Sequence, residues 1–314
     1  MVAVLLATYN GEKYITELLD SLLAQSYSDF KIFVHDDGSY DETRNIINDY
    51  CAMNPGRFEV IEGHPTKEPK KNFFYLMSQV EADYYLFCDQ DDIWLENKVK
   101  RSLNELGRLE ISKGSINPAC VFTDMYVTDA ELNILSSSFI AYLGRSIKNT
   151  RYSQILIDNP AAGCTMCFNR ALRDIVVDSL KYVDRDAIPM HDQWTLLLAS
   201  IYGHVKGIND PFVYYRQTGE NNMGASTEST SEKVKRNLKD SNSGSFRAKK
   251  RAFIMEARNL AKEVLKLSVL PMDKKDVLEQ FVELDSKPKL YRMRFYRRHK
   301  FTRAQNNLWM RLWV

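Results

Sequence analysis

Two acidic clusters carry the chemistry this chain can do. Asp89-Gln90-Asp91-Asp92 follows the apolar run Tyr84–Cys88, and Asp36-Asp37-Gly38-Ser39 follows Phe30–Val34. Each run reads as a buried strand, so both clusters sit at strand ends, where open α/β sheets bind ligands. Carboxylates converging there suit a hard divalent cation and the diphosphate of an activated donor. Asp89 and Asp91 either share one ion or divide between the ion and a sugar. Asp92 either joins them or caps the helix expected from Ile93. A solvated turn with capping aspartates is the simpler reading of an isolated Asp-x-Asp. The preceding strand and the matching Asp36-Asp37 end argue against it.

The elements that must position these residues alternate strand with helix. Val2–Ala7 reads as a strand, and Asn10 as a possible cap of a helix through Ile15, Leu18, Leu19, Leu22 and Leu23. Ser39 and Glu42 have capping-box spacing ahead of Ile46, Ile47 and Tyr50. Phe58–Ile61 reads as a strand and 72–82 as a helix. A helix is expected from Ile93 to Leu109, a strand over Ala119–Thr123 and a loop over 136–153. A short strand is expected over Gly163–Phe168, with helices after it and after Asp192, then a strand over Phe212–Tyr215. Residues 217–246 read as a flexible stretch or lid, with helices resuming near Lys249 and after Asp273. The alternation predicts right-handed crossovers and a largely parallel sheet.

Composition narrows the function classes. The chain has 314 residues, 44% hydrophobic and 27% charged, as a folded globular protein does. No apolar run is long enough to span a bilayer, and the start lacks a signal peptide's basic region and cleavage site, so a cytoplasmic protein is expected. No Gly-x-Gly-x-x-Gly or Gly-Lys-Ser motif is present, which disfavours dinucleotide oxidoreductases and P-loop NTPases. A two-ion hydrolase would want more than the five histidines here. Cys164 and Cys167 form a Cys-x-x-Cys pair with no second pair to complete a zinc cage, and a buried strand explains them better than redox chemistry.

Charge is segregated. Residues 287–314 hold nine Lys or Arg and no acid, leaving 34 basic and 41 acidic residues before them, a net of −7. Nucleic acid is not an expected partner of such a body. The tail mixes its cations with Tyr291, Phe295, Tyr296, Phe301, Trp309 and Trp313. A helix over 301–313 would present an aromatic stripe beside arginines, which suits peripheral contact with an anionic membrane. Packing onto the body and a homodimer contact are the alternatives.

Leu6-Ala-Thr-Tyr-Asn-Gly11, His35-Asp-Asp-Gly-Ser39 and Leu86-Phe-Cys-Asp-Gln-Asp-Asp-Ile-Trp94, in that order, resemble glycosyltransferase family 2, and most closely its bacterial rhamnosyltransferase-like branch. The resemblance covers roughly residues 1–220. It implies an α/β GT-A fold, a Rossmann-like, mostly parallel sheet with flanking helices, followed here by a helical C-terminal extension. The domain expectation is a catalytic domain over 1–220 (nucleotide-sugar half 1–125, acceptor half 126–220), a linker over 221–248 and a helical region over 249–314.

Carried over by residue, the resemblance implies that Thr8 and Tyr9 line the nucleotide pocket. Asp37 contacts a uracil or thymine base and Asp36 supports that loop. Asp89 approaches the ribose or sugar, and Asp91 is the chief ligand of Mn²⁺ or Mg²⁺. Asn159-Pro-Ala-Ala-Gly163-Cys164 shapes the donor and acceptor pocket. His191-Asp192 resembles the family's acidic pair, with Asp192 as general base and His191 where Glu is frequent. Tyr215-Arg-Gln-Thr-Gly219 resembles a closing segment in which Arg216 or Gln217 holds the diphosphate, with Thr218 standing where histidine is expected. Trp94 either stacks on a sugar or is a core residue. Asp184 and Asp186 tempt a hydrolase reading but lack comparable support. The implied activity is inverting transfer from a dTDP- or UDP-sugar, L-rhamnose foremost, onto a glycan or lipid-linked glycan at the inner face of the bacterial cell membrane. A UDP-hexose or UDP-N-acetylhexosamine transferase and a noncatalytic glycan- or nucleotide-binding protein are the rivals.

Overall fold

The computed structural model describes residues 1–113, 117–218 and 244–304. Its first half follows the alternation in the sequence. Strands β1 (Val2–Thr8), β2 (Phe30–Asp36), β3 (Phe58–Val60) and β4 (Tyr84–Asp89) pair in parallel in the order β3-β2-β1-β4. Helices α1 (Ile15–Leu23), α2 (Thr43–Met53) and α3 (Pro69–Gln79) make the crossovers. The strands are apolar without alternation because both sheet faces are covered. Register does the positioning. Thr8 lies opposite Asp36, and Ala7 lies opposite both His35 and Asp89. Both acidic clusters therefore end at one sheet edge, with β1 between them.

Beyond β4 the sheet turns mixed. Strand β8 (Met166–Asn169) runs antiparallel to β4, and β6 (Ala119–Thr128) antiparallel to β8. Strand β9 (His204–Arg216) is parallel to β6, and β5 (Ile93–Trp94) closes the order antiparallel to β9. The segment after Asp92 thus differs from the expected helix. Ile93 and Trp94 pair with Tyr214 and Val213, Leu95 N–H donates to the Phe212 carbonyl, and α4 (Lys98–Lys113) starts only afterwards. Asp92 is consequently not a helix cap.

Other local expectations change in the same way. Asn10 has φ 48° and accepts from Tyr40 N–H, while α1 starts after Tyr14. Ser39 bonds Asp36 rather than capping α2. Gly163–Thr165 is a 3₁₀ turn, and only Met166–Asn169 is strand. The expected loop over 136–153 holds the end of β7 (Ile134–Ser136), all of α5 (Phe139–Tyr142) and the start of α6 (Tyr152–Ile157), because Phe139, Ile140 and Ile155 are buried. Helices α7 (Arg170–Ser179) and α8 (His191–Tyr202) follow, and Trp194 is core, its indole N–H donating to Ser179 Oγ at 2.9 Å. Most of the expected lid over 217–246 lies outside the described residues.

The C-terminal helices α9 (Gly244–Leu265), α10 (Met272–Val282) and α11 (Lys289–Arg298) extend one apolar layer. Phe295, Tyr296 and Phe301 are buried, and Phe301 stacks on Phe281 with centroids 4.2 Å apart. These three aromatics of the basic tail pack onto the body, so they are unavailable to a membrane. The expected stripe over 301–313 mostly lies outside the described residues. No described helix is long and apolar enough to cross a membrane.

Candidate active site

The Asp36 end of the site is a tightly bonded loop. Asp36 accepts from the N–H groups of Gly38 and Ser39, from Ser39 Oγ at 2.6 Å and from Thr8 Oγ1 at 2.9 Å. Asp37 donates its N–H to the Thr8 carbonyl, and its buried carboxylate accepts from Thr66 N–H. Tyr9 is 52% exposed at the same edge. Beside Asp36 a cavity of about 200 Å³ opens between β2 and β3, lined by His35, Gly38, Arg44, Glu62 and Pro65 among others.

Gln90 joins the two acidic ends. Its amide accepts from Tyr9 N–H and donates to the Tyr9 carbonyl, each at 2.8 Å. Gly11 makes room for it, since a Cβ there would stand 2.5 Å from Gln90 Oε1. Nothing in the pattern of residues marked Gln90 for this role beyond its place inside the acidic motif.

The second cluster is electrostatically loaded. Burial, then the charges of Asp91 and Asp192, push the Asp89 carboxyl up to about 7. Asp92 is fully buried, and burial with the charges of Asp91 and Asp89 raises it well above the usual range. Ligand atoms of Asp89, Asp92 and Cys164 lie within 4.8 Å of one another. Clustered carboxylates with hard oxygens fit a divalent cation; the converging ligand atoms are those of Asp89, Asp92 and Cys164, and Asp91, the expected chief ligand, is not among them.

Asp192 reaches this cluster from the second half of the chain. It lies in the first turn of α8, 8% exposed, and its charge acts on Asp89. Burial raises its carboxyl to about 6, opposed by hydrogen bonds from Gln193 and Gly163 N–H groups and by the Arg145 charge. His191 stacks on Phe73 at 4.0 Å and meets Phe87 edge-on at 4.7 Å. Burial lowers it to about 3, so it is neutral. Gly163 must be glycine here: a Cβ would fall 2.7 Å from His191 Nε2 and 3.7 Å from Asp192 Cβ.

Two expected residues are buried. Trp94 is 2% exposed inside the apolar layer, with Lys98 Nζ 3.5 Å from its ring centroid, so its ring offers no open face to a sugar. Arg216 is 3% exposed. It donates to the Asp91 carbonyl at 3.1 Å, the Ala130 carbonyl at 2.6 Å and Glu17 at 2.6 Å. It therefore fixes the backbone of the acidic loop. Lys98, fully buried and lowered by burial to about 8, went unnoticed in the sequence because it falls on a helix whose start was misplaced.

A parallel sheet with acidic strand ends, completed by a half that returns a buried carboxylate, has the layout of the GT-A glycosyltransferases. The chain belongs to Glycosyl transferase family 2, whose model matches residues 3–176, and is a nucleotide-sugar-dependent glycosyltransferase. It is 29% identical over 237 residues to "dTDP-rhamnosyl transferase RfbG" of Shigella flexneri, covering 70% of this chain and 74% of that one. It is 32% identical over 135 residues to "Poly(ribitol-phosphate) beta-N-acetylglucosaminyltransferase TarS" of Staphylococcus aureus, covering 41% of this chain and 20% of that one. The S. aureus TarS 1–349 structure in complex with UDP shares the fold at TM-score 0.55 and 19% identity, over 98% of this chain and 74% of that one. The mannosyltransferase PcManGT of Pyrobaculum calidifontis, in complex with GDP-Man and Mn²⁺, gives TM-score 0.50 at 15% identity, over 95% and 72%.

Proposed function

We propose that this enzyme is a divalent-metal-dependent, inverting transferase that moves L-rhamnose from dTDP-rhamnose onto a cell-surface polysaccharide or lipid-linked glycan. The observation that carries the mechanism is the convergence of Asp89, Asp91 and Asp192 from two halves of the chain on one charged site. Similarity to a dTDP-rhamnosyl transferase over most of the chain supports the donor. A UDP-N-acetylhexosamine donor is the second reading, favoured by the likeness to TarS.

The sheet edge takes the donor. Thr8, Tyr9 and Asp37 meet the nucleotide, Asp36 and Gln90 hold their backbone in place, and Arg216 sets the Asp91 turn. Asp91 and Asp89 would hold Mn²⁺ or Mg²⁺, which supplies charge neutralisation at the departing diphosphate. Asp192 takes the acceptor hydroxyl's proton as that oxygen attacks the anomeric carbon from the face opposite the diphosphate. A carboxylate raised to about 6 is a better base than an ordinary one and is still ionised at neutral pH. Gly163 and His191 wall the acceptor side.

The basic tail serves a peripheral contact with anionic membrane at its cytoplasmic face. Leu290 and Tyr291 are exposed on α11 among exposed Lys289, Arg294, Arg297 and Arg298, which supports that contact even though the larger aromatics are buried. A thermal-shift panel of dTDP-rhamnose, UDP-N-acetylglucosamine and GDP-mannose with Mn²⁺ tests the donor. Stabilisation by dTDP-rhamnose above the others is expected. Preference for the UDP-sugar selects the second reading.

A further inference from the structure

The C-terminal extension reaches the acceptor half through one buried carboxylate. Asp158 ends α6 and opens the segment Asp158–Gly163, and its side chain is 4% exposed. It is gripped from two sides: Arg145 Nε lies 3.2 Å from Oδ1 and Arg303 Nε lies 3.2 Å from Oδ2. A buried carboxylate held by two cations is costly to leave half-paired.

The approach of Arg303 is built into the tail. After α11, Lys300 takes φ 56°, Phe301 N–H donates to the Tyr296 carbonyl and the Phe301 ring inserts against Phe281 and Phe295. Ser153 Oγ donates to the Lys300 carbonyl at 3.3 Å. That turn aims residues 301–304 along α6 and delivers Arg303 to Asp158.

At its other end the same segment touches the reacting side. Gly163 packs so closely on His191 that a Cβ would stand 2.7 Å from Nε2, it lies in contact range of Asp192, and its N–H helps hold the Asp192 carboxyl down. Arg145, held by Asp158, is near enough to Asp192 for its charge to act there. From this chain of contacts we infer that Arg303, Asp158 and Arg145 are positioning residues for the acceptor side. The C-terminal segment anchors Asp158, and Asp158 fixes both the Asp158–Gly163 wall and the Arg145 charge around Asp192. The family match ends at residue 176, so this assigns a catalytic purpose to a part of the chain outside it.

The inference rests on Asp192 being the base, and the test separates the two. Hydrogen–deuterium exchange of peptides spanning 158–165 and 191–196 is compared in wild type, Arg303→Gln, Arg303→Lys, Asp158→Asn and Asp192→Asn, alongside Mn²⁺-dependent hydrolysis of dTDP-rhamnose and UDP-N-acetylglucosamine. Arg303→Gln and Asp158→Asn are expected to speed exchange in 158–165 and to lower kcat about tenfold or more, as small misplacements of reacting groups do, with donor KM unchanged. Arg303→Lys should recover both. Normal exchange and normal kcat in Arg303→Gln and Asp158→Asn, with Asp192→Asn inactive, would overturn the positioning role alone. Full activity in Asp192→Asn would remove the base, whatever the exchange data show.

Discussion

The side-chain amide of Gln90 pairs in both directions with the backbone of Tyr9, at 2.8 Å each way. Beyond the β1–β4 ladder it ties the end of β1 to the Asp89–Asp92 turn, so the two acidic strand ends are held as one piece. Gln90→Ala should cost about 1–2 kcal/mol from two lost hydrogen bonds. Gly11→Ala should do the same by expelling the amide. Guanidinium denaturation of both variants checks this, and unchanged stability in Gly11→Ala would contradict the tie.

The raised carboxyls give opposite pH slopes for activity and stability. With Asp192 at about 6, turnover should climb as pH rises through 6, because the base must be ionised. For Asp89 and Asp192 the folded values, about 7 and about 6, exceed the ordinary 3.8. The folded state then binds more protons, so their contribution to stability is greatest below about pH 4 and is lost as pH rises towards 7. His191 works the other way: at about 3 against 6.5, its contribution is full above 6.5 and lost on acidification. Mn²⁺ should therefore raise Tm more at pH 8, where the carboxylates are charged, than at pH 5. Equal Mn²⁺ shifts at both pH values would count against the carboxylate site.

Lys98 and Asp92 are both fully buried, and the Asp92 charge is among those that favour the Lys98 ammonium. The Asp92 carboxyl is itself pushed well above the usual range and the two side chains make no hydrogen bond to each other, so their coupling is weak. Lys98→Met should therefore change stability by no more than about 1–2 kcal/mol in the native background, and by nearly the same amount beside Asp92→Asn. A double-mutant cycle in denaturant measures the coupling, and an interaction energy above about 2 kcal/mol would show a strong pair that contradicts this.

These residues also show how far the sequence could be read. Strands β2 and β4 stand out because unbroken apolar runs end in acids, and β1 because its apolar run ends in the Thr8–Gly11 turn. Asp192 was visible as an acid at a helix start. Ile93 and Trp94 were misread because two apolar residues before a helical pattern fit either a strand end or a first turn, and only their pairing with Val213 and Tyr214 decides it. The roles of Gln90, Arg145 and Asp158 arise from contacts between segments far apart in the chain, to which periodicity is blind. Thr8 and Tyr9 are legible only through resemblance, whereas Asp36 and Asp37 show as an acidic strand end; the bonding of Thr8 to both is a matter of register.

The tail divides into a buried and an exposed part. Phe301→Ala should cost about 3–5 kcal/mol, the range for a buried phenylalanine. Leu290→Ser with Tyr291→Ser should leave stability near wild type and weaken sedimentation with phosphatidylglycerol vesicles. Undiminished vesicle binding in that double variant would place any membrane contact elsewhere.

Central to the account is Asp192 as the proton acceptor in sugar transfer. Its direct test is steady-state turnover of Asp192→Asn with Mn²⁺ and the donor selected by thermal shift, set against isothermal titration of the same donor. The account predicts donor affinity within about twofold of wild type and kcat reduced at least about a hundredfold, the scale of a lost general base. Wild-type kcat in Asp192→Asn, with donor binding intact, would contradict it.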